Sequence, residues 1–173
     1  MDIVDFLYQA GSLKDVDRSG WKTVGITPES VSEHSYRTAL IAYFLAKEEG
    51  IENKEGVLLA ALLHDVHEAR TTDLHLVAKQ YAEVDEKRAR EDALETLPDF
   101  LRPFKDKRIM EVVKDADKLE CIFQAKEYQD LGNPYVKDWI KNASSVLRTP
   151  SAKKLCRQAL ERDAFAWLFE ARK

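Results

Sequence analysis

The sequence has few of the residues that interrupt regular structure. Its 173 residues include only six glycines and five prolines, whereas a β-rich chain needs such residues at its many turns. Stretches in which apolar and polar residues alternate with period two are also scarce, and most of the chain carries the helical period. These absences argue against a β-rich fold and predict an all-α protein.

Cysteine and net positive charge are equally scarce. The two cysteines, Cys121 and Cys156, lie far apart and form no CxxC pair. We expect reduced core thiols of a cytosolic protein, with a disulfide as the alternative. The formal net charge is −4, which argues against a nucleic-acid binder or a polybasic membrane binder.

Long apolar runs are missing as well. No run approaches the ~20 residues of a membrane span, and the N-terminal segment carries acidic residues where a signal peptide carries basic ones. We therefore predict a cytoplasmic protein with no membrane partner. The length suggests one domain that covers residues 1–173.

The helical pattern divides into about seven to eight helices with short connections. Ser30 and Glu33 form a capping box, and Gly132 stops the longest helix. Thr149 caps the last helix, and Pro150 is its first residue. The predicted helices are 2–10, 31–49, 54–69, 85–97, 107–131, 134–147 and 150–173, with 11–29 irregular and 70–83 ambiguous.

Three of these helices each direct a metal-competent side chain inward. Helical spacing puts His34 on the apolar face of the helix that Ser30 caps. It puts His64 on the inward face of the next helix, with Asp65 turned from it by about 100°. Asp117 lies on the inward stripe of the long helix. The interior is therefore predicted to receive two imidazoles and two carboxylates.

This joint pattern indicates a metal site, although a single inward histidine is more often a hydrogen-bonded core residue. Two histidines and two aspartates are hard to satisfy with one another, whereas a divalent cation satisfies all four. Without thiolate ligands, a closed structural zinc site is not expected. The donors suit Mn²⁺, Co²⁺, Ni²⁺, Fe²⁺ or Zn²⁺, with Mg²⁺ less favoured. Such a site is suited to metal-assisted hydrolysis.

Four stretches carry a resemblance to a known family. They are RSGW at 18–21, PESVSEHSYRTA at 28–39, LLHDVHEARTTD at 62–73 and DADKLE at 115–120. Together they resemble the HD-domain metal-dependent phosphohydrolases and, among these, the small 5′-deoxynucleotidases, from about residue 5 to 130. The resemblance implies one compact HD-domain helical bundle, with a metal-site core at about 30–130 and helices at 134–172 packed on it. It also implies a divalent metal cofactor and a homodimer.

The resemblance also implies a role for individual residues. The metal ligands would be His34, His64, Asp65 and Asp117, and Glu68 would be the catalytic acid/base. An exposed carboxylate at a helix end, paired with Arg70 or a lysine, is the alternative for Glu68.

The implied substrate-binding residues lie around this centre. Arg18 would bind phosphate through its paired donors, and Asp73 would hold the sugar 3′-hydroxyl. The remaining candidates are Trp21 as a pocket wall, Glu33 beside His34, and His67 and Thr71 near the phosphate. Each has an alternative: Trp21 as an ordinary core residue, Glu33 as the capping partner of Ser30, and Asp73 as an N-cap. His75 is expected at the surface.

Two positions depart from the family pattern. Thr72 stands where relatives commonly have glycine, and His67 stands where several have a small residue. Both lie near the predicted pocket, so they leave the substrate preference open.

The predicted reaction is hydrolysis of a (deoxy)nucleoside 5′-monophosphate to nucleoside and phosphate. The alternatives are an HD-type phosphodiesterase, a (p)ppGpp-like nucleotide hydrolase, and a non-catalytic module that binds nucleotide or metal. The expected partner is a small-molecule nucleoside monophosphate, with no nucleic acid.

The C-terminal segment carries more apolar residues than one helix face needs, including Phe165, Trp167, Leu168 and Phe169. They suit either a core or an interface. We expect them in the core.

Overall fold

A computed structural model describes residues 2–95, 97 and 106–171. The described residues form nine α-helices and no strand beyond an isolated bridge between Asp17 and Ser30, so the predicted all-α fold is confirmed. The helices are α1 (Ile3–Gly11), α2 (Val31–Glu48), α3 (Lys54–Leu63), α4 (Glu68–Thr71), α5 (Glu86–Leu94), α6 (Lys107–Asp130), α7 (Lys137–Ser145), α8 (Pro150–Leu160) and α9 (Ala166–Glu170). The single-domain boundaries stay a prediction.

Capping residues begin these helices where the sequence predicts them. The Ser30 hydroxyl accepts the amide of Glu33, while the Glu33 carboxylate accepts the Ser30 amide at 2.6 Å. Side chains of Asn53, Asp106 and Thr149 cap α3, α6 and α8. Since each cap satisfies amides that have no partner within the helix, it fixes where the helix begins.

Helices α2, α3 and α6 pack together and enclose the main core, and α7 and α8 pack on α6. Leu45 of α2, Val57 of α3 and Leu119 of α6 are among the fully or almost fully buried side chains. These three helices carry the predicted metal ligands His34 and Asp117, and α3 leads directly into His64. The core therefore holds the candidate ligands at fixed positions.

Two predicted helices are each divided. The helix predicted at 54–69 ends at Leu63, because the following amides bond to carbonyls three residues back, as Glu68 N–H does to Asp65 O. α4 then begins at Glu68. The helix predicted from Pro150 onward ends at Leu160, and α9 follows from Ala166.

The side chains of α9 differ from expectation. Trp167, Leu168 and Phe169 are 65%, 39% and 61% exposed, so the core assignment is wrong for these three. The break after Leu160 turns them away from the face that α8 buries. Pro98, which directly follows the helix predicted at 85–97, lies outside the described residues, as do residues 172 and 173.

Both cysteines are free thiols, as predicted. Cys156 is buried in the main core, whereas Cys121 is half-buried. Searching the described residues finds no helix with the length and apolar character that crossing a membrane requires.

Candidate metal centre and its cavity

Two buried imidazoles meet where α2 passes the end of α3. The Nε2 atoms of His34 and His64 lie 3.2 Å apart. Asp65 Oδ2 lies 3.1 Å from His64 Nε2 and 3.8 Å from His34 Nε2, and Asp117 Oδ1 lies 3.4 Å from His34 Nε2. The ligand atoms of His34, His64 and Asp65 therefore lie within 4.8 Å of one another, and Asp117 joins this group through its contact with His34.

The helices explain this convergence. His34 continues the buried face of α2 that Thr38, Ile41 and Leu45 also occupy, so its ring points inward. His64 caps the C-terminus of α3, and Asp65 begins the tight turn that follows. The end of a helix and the turn after it can thus present two adjacent side chains to one place.

The outer nitrogen of each imidazole is held by an acceptor. His64 Nδ1 lies 2.7 Å from the carbonyl oxygen of Ala61, and His34 Nδ1 lies 2.5 Å from Glu120 Oε2. A carbonyl and a carboxylate can only accept, so each Nδ1 carries the proton. A ring whose only proton is on Nδ1 directs the lone pair of Nε2 at the other imidazole and at the neighbouring carboxylate oxygens.

Such a group of acceptors needs a positive charge among them. Burial and Arg18 lower the pKa of His34, but hydrogen bonds to Asp117 and Glu120 outweigh them and raise it to about 9. The surroundings thus favour a cationic charge at this point. Two imidazole nitrogens and two carboxylates form a donor set that fits a divalent cation such as Mn²⁺ or Zn²⁺.

Both aspartates favour the ionised form that a metal ligand needs. Burial acts to raise the pKa of Asp65, but the interaction with His64 and the charge of Arg18 hold it below its ordinary value. Burial acts in the same direction on Asp117, and its pKa is held well below the ordinary range by the His34 hydrogen bond and Lys118.

Glu68 lies at the first position of α4 and is 6% exposed. Its Oε2 atom is buried and has no hydrogen-bond partner among the described residues. Burial, together with the charges of Asp65 and Asp73, raises the pKa of this carboxyl to about 9. The alternative interpretation of Glu68 as an exposed carboxylate at a helix end is therefore wrong. Its carboxyl group is buried and lies close to Asp65.

Arg18 and Asp73 connect this centre to a cavity of about 610 Å³. Arg18 Nη1 lies 3.6 Å from Asp65 Oδ2 and 3.9 Å from Asp73 Oδ1. Asp73 Oδ2 accepts the Ser19 amide at 2.7 Å. Both side chains line the cavity, so one end of the cavity is charged and adjoins the candidate ligands.

The rest of the cavity wall is mainly apolar. Trp21 is 3% exposed and packs on Trp139 with ring centroids 5.4 Å apart. Leu76 and Val77 also line the cavity, although they are 81% and 58% exposed overall. A volume within the usual range of small-molecule sites, with a charged end and an apolar wall, suits a ligand of mixed polarity.

Three of the substrate-binding candidates do not line this cavity. Glu33 is exposed, and its carboxylate serves the capping box, which was its alternative interpretation. His67 is buried, with Nδ1 3.3 Å from Arg90 Nη2. The Thr71 hydroxyl donates to the carbonyl oxygens of His67 and Thr72. A role of these three in substrate binding stays a prediction.

Other residues of the site were missed by sequence reasoning. Glu120 and Lys118 both belong to the DADKLE stretch, and Lys118 Nζ lies 2.9 Å from Asp117 Oδ2. Their place in that motif was a usable signal. Trp139 comes from α7, which carries no recognisable motif. His75, expected at the surface, is half-buried and lines the cavity.

Comparisons with known proteins agree with this arrangement. The HD-domain family model matches residues 10–155. The 5′-deoxynucleotidase HDDC2 of Bos taurus is 33% identical over 147 residues, which cover 76% of this chain and 70% of that protein.

Solved structures share the fold over almost the whole chain. The crystal structure of genomics APC5600 has 43% identity and a TM-score of 0.81, covering 94% of this chain and 95% of its own. The conserved hypothetical protein from Pyrococcus furiosus has 31% identity and a TM-score of 0.76, covering 92% of this chain and 99% of its own. This chain belongs to the HD-domain family.

Proposed function

We propose that this protein is a metal-dependent phosphohydrolase that cleaves (deoxy)nucleoside 5′-monophosphates to nucleoside and phosphate. The observation that carries the proposal is the convergence of His34, His64, Asp65 and Asp117 beside a cavity with a charged end. The relatives named 5′-deoxynucleotidases support the same reaction.

In this proposal the four converging residues hold a divalent cation. Their nitrogen and oxygen donors leave the identity of the ion open among Mn²⁺, Co²⁺, Ni²⁺, Fe²⁺, Zn²⁺ and Mg²⁺. When bound, the ion supplies a Lewis acid for a phosphate oxygen and lowers the pKa of a water molecule.

Arg18 and Asp73 orient the substrate. The guanidinium of Arg18 offers paired N–H donors that match two oxygens of a phosphate. The carboxylate of Asp73 lines the cavity 3.9 Å from Arg18 Nη1 and can accept a hydrogen bond from a sugar hydroxyl. The apolar wall around Trp139 then takes the base, because a nucleobase is flat and largely apolar on its faces.

Glu68 transfers the proton. Water adds to phosphorus, the bond from phosphorus to the 5′-oxygen breaks, and the leaving oxygen needs a proton. Burial favours the protonated form of Glu68, so its proton can pass to that oxygen, and the carboxylate left behind takes up a proton from the attacking water. Inorganic phosphate and the free nucleoside are the products.

A substrate panel tests the proposal. Purified protein is treated with a chelator, reloaded with Mn²⁺ and offered deoxynucleoside and ribonucleoside 5′-monophosphates, cyclic nucleotides and pyrophosphorylated nucleotides. We expect phosphate release from 5′-monophosphates that the chelator abolishes and Mn²⁺ restores. Cleavage of cyclic or pyrophosphorylated nucleotides alone would contradict it in favour of the other hydrolases. Binding without turnover would indicate a non-catalytic module.

A homodimer is also part of the proposal. Tyr36, Leu40 and Phe44 lie four residues apart on α2, so they share a face, and they are 65%, 44% and 60% exposed. Exposed apolar side chains grouped in this way are typical of interaction surfaces. Light scattering on the purified protein is expected to give the mass of two chains, and the mass of one chain would contradict this. The cytoplasmic location stays a prediction.

A further inference from the structure

A buried ionic network stands directly behind His34. Glu120 Oε2 lies 2.5 Å from His34 Nδ1, and both side chains are 0% exposed. The other oxygen, Oε1, accepts Arg37 Nε at 2.9 Å and Arg37 Nη2 at 2.7 Å. None of these three side chains lines the cavity, so the network does not touch a ligand placed there.

Each oxygen of Glu120 has its own donor. A buried carboxylate is costly unless its charge is compensated, and the guanidinium of Arg37 compensates it on one side. Among the described residues, His34 is the one donor to the second oxygen. Arg37 is held in turn by Gln124 Oε1 and Glu127 Oε1, each at 2.5 Å.

The second imidazole has a different partner. His64 Nδ1 faces the neutral backbone carbonyl of Ala61, whereas His34 Nδ1 faces an anion. An anionic acceptor fixes the tautomer and makes the opposite ring nitrogen a stronger base. Any cation at the centre would thus meet two histidines of unequal donor strength.

We propose that Glu120 is a positioning residue, which keeps the proton of His34 on Nδ1 and the lone pair of Nε2 directed at the cation. Arg37 holds Glu120 in the orientation that this requires. The inference rests on the metal site of the proposed function. It adds a role for two residues that touch neither cation nor substrate.

The test measures Mn²⁺ affinity by calorimetry on chelator-treated protein, together with turnover. In Glu120→Gln the amide has a single acceptor oxygen, so it cannot serve both His34 and Arg37. We expect the dissociation constant for Mn²⁺ to rise by about 10- to 100-fold. Turnover at saturating Mn²⁺ is expected to recover to near the wild-type value, since Glu120 does not touch the substrate.

Glu127→Gln is the matched control. Glu127 also accepts from Arg37, but it does not touch His34. We expect its Mn²⁺ affinity to stay within about twofold of wild type, as for a site that is not coupled to the metal. Equal losses in Glu120→Gln and Glu127→Gln would overturn the inference, because a merely structural ionic network predicts them.

Glu120→Asp provides a second variant if Glu120→Gln does not fold. It keeps the charge but withdraws the carboxylate by about one bond length, ~1.5 Å, so the contact with His34 is lost. We again expect weaker Mn²⁺ binding, and wild-type affinity in this variant would overturn the inference. The two failures can be distinguished. Failure of the wild-type protein to bind Mn²⁺ would contradict the proposed function, whereas binding that is equally tight in wild type and Glu120→Asp would contradict only the positioning role of Glu120.

Discussion

Two regions contribute side chains to the candidate metal centre, and they differ in how well those side chains are satisfied. Helices α2 and α6 contribute His34, Asp117 and Glu120, which are joined by short contacts. The segment 64–73 contributes His64 and Asp65, and continues to Glu68 and Asp73. There the buried Oε2 of Glu68 has no hydrogen-bond partner among the described residues.

Backbone strain also falls in the segment 64–73. Thr72 has φ 59° and ψ 167°, a conformation that a β-branched residue rarely adopts. It stands between α4 and Asp73. The comparison teaches that the two long helices fix the positions of His34 and Asp117, while the buried, unpartnered carboxyl of Glu68 and the strained backbone of Thr72 lie in the segment where proton transfer and sugar binding are proposed.

The largest effect is expected from the unsatisfied carboxyl of that segment. Glu68→Gln keeps the shape of the side chain but removes its transferable proton. Turnover should fall by about 10²- to 10⁴-fold, while Mn²⁺ content stays at the wild-type value. Phosphate release and metal analysis measure the two quantities.

A control for Glu68→Gln comes from the surface. Glu111 is an exposed carboxylate of α6, and Glu111→Gln should retain full turnover. Near wild-type turnover in Glu68→Gln would show that the proton comes from another group.

A second prediction compares two aspartates of α6 that lie two residues apart. Asp115 is 2% exposed and accepts the Thr149 amide and hydroxyl, each at 2.7 Å. It therefore ties α6 to the start of α8. Asp115→Asn should lower the free energy of unfolding by about 2 kcal/mol, the scale of a hydrogen bond to a charged group, with Mn²⁺ affinity unchanged.

Asp117→Asn should do the opposite. Removing one carboxylate of the candidate ligand set should weaken Mn²⁺ binding by more than about 100-fold, the upper range for an outer partner of a metal ligand. Its stability to urea should stay near wild type in metal-free protein. If both variants lose stability and retain the wild-type affinity for Mn²⁺, Asp117 contributes to the fold and not to a metal site.

The smallest effect concerns the strained backbone. In Thr72→Gly, relief of about 1–3 kcal/mol of strain exceeds the cost of the added flexibility, about 0.5–1 kcal/mol. We expect a gain of about 1 kcal/mol in the free energy of unfolding, measured in urea. Thr71→Gly, at the preceding helical residue, should instead lose up to about 1 kcal/mol. If the free energy of unfolding falls in both variants, the backbone at Thr72 is not strained.

The helices and most of their starts could be predicted, because their signals are local. Capping residues such as Ser30, Asn53 and Thr149 act within one turn, and the inward period of α2 depends only on spacing. The break after Leu63 could not be predicted, because apolar residues and histidines continue the helical pattern through it. The end of α3 at Leu63 is set by the tertiary contacts of the residues that follow it and not by the hydrophobic pattern.

The candidate site was predictable to a similar extent. The convergence of His34, His64, Asp65 and Asp117 followed from inward faces and from the family resemblance. The apolar cavity wall was not accessible, since Trp139 reaches it from α7 only through tertiary packing. The exposure of Trp167 could not be predicted from periodicity either, because the turn after Leu160 changes which side chains face the core.

One measurement tests the central claim most directly: titration of chelator-treated wild-type protein with Mn²⁺, with phosphate release from a deoxynucleoside 5′-monophosphate followed at each addition. The account predicts no release without the ion and release that rises in step with ion binding, and it predicts that Asp117→Asn shifts both curves to higher Mn²⁺ together. Wild-type rates of release from protein shown by metal analysis to be free of metal would contradict it.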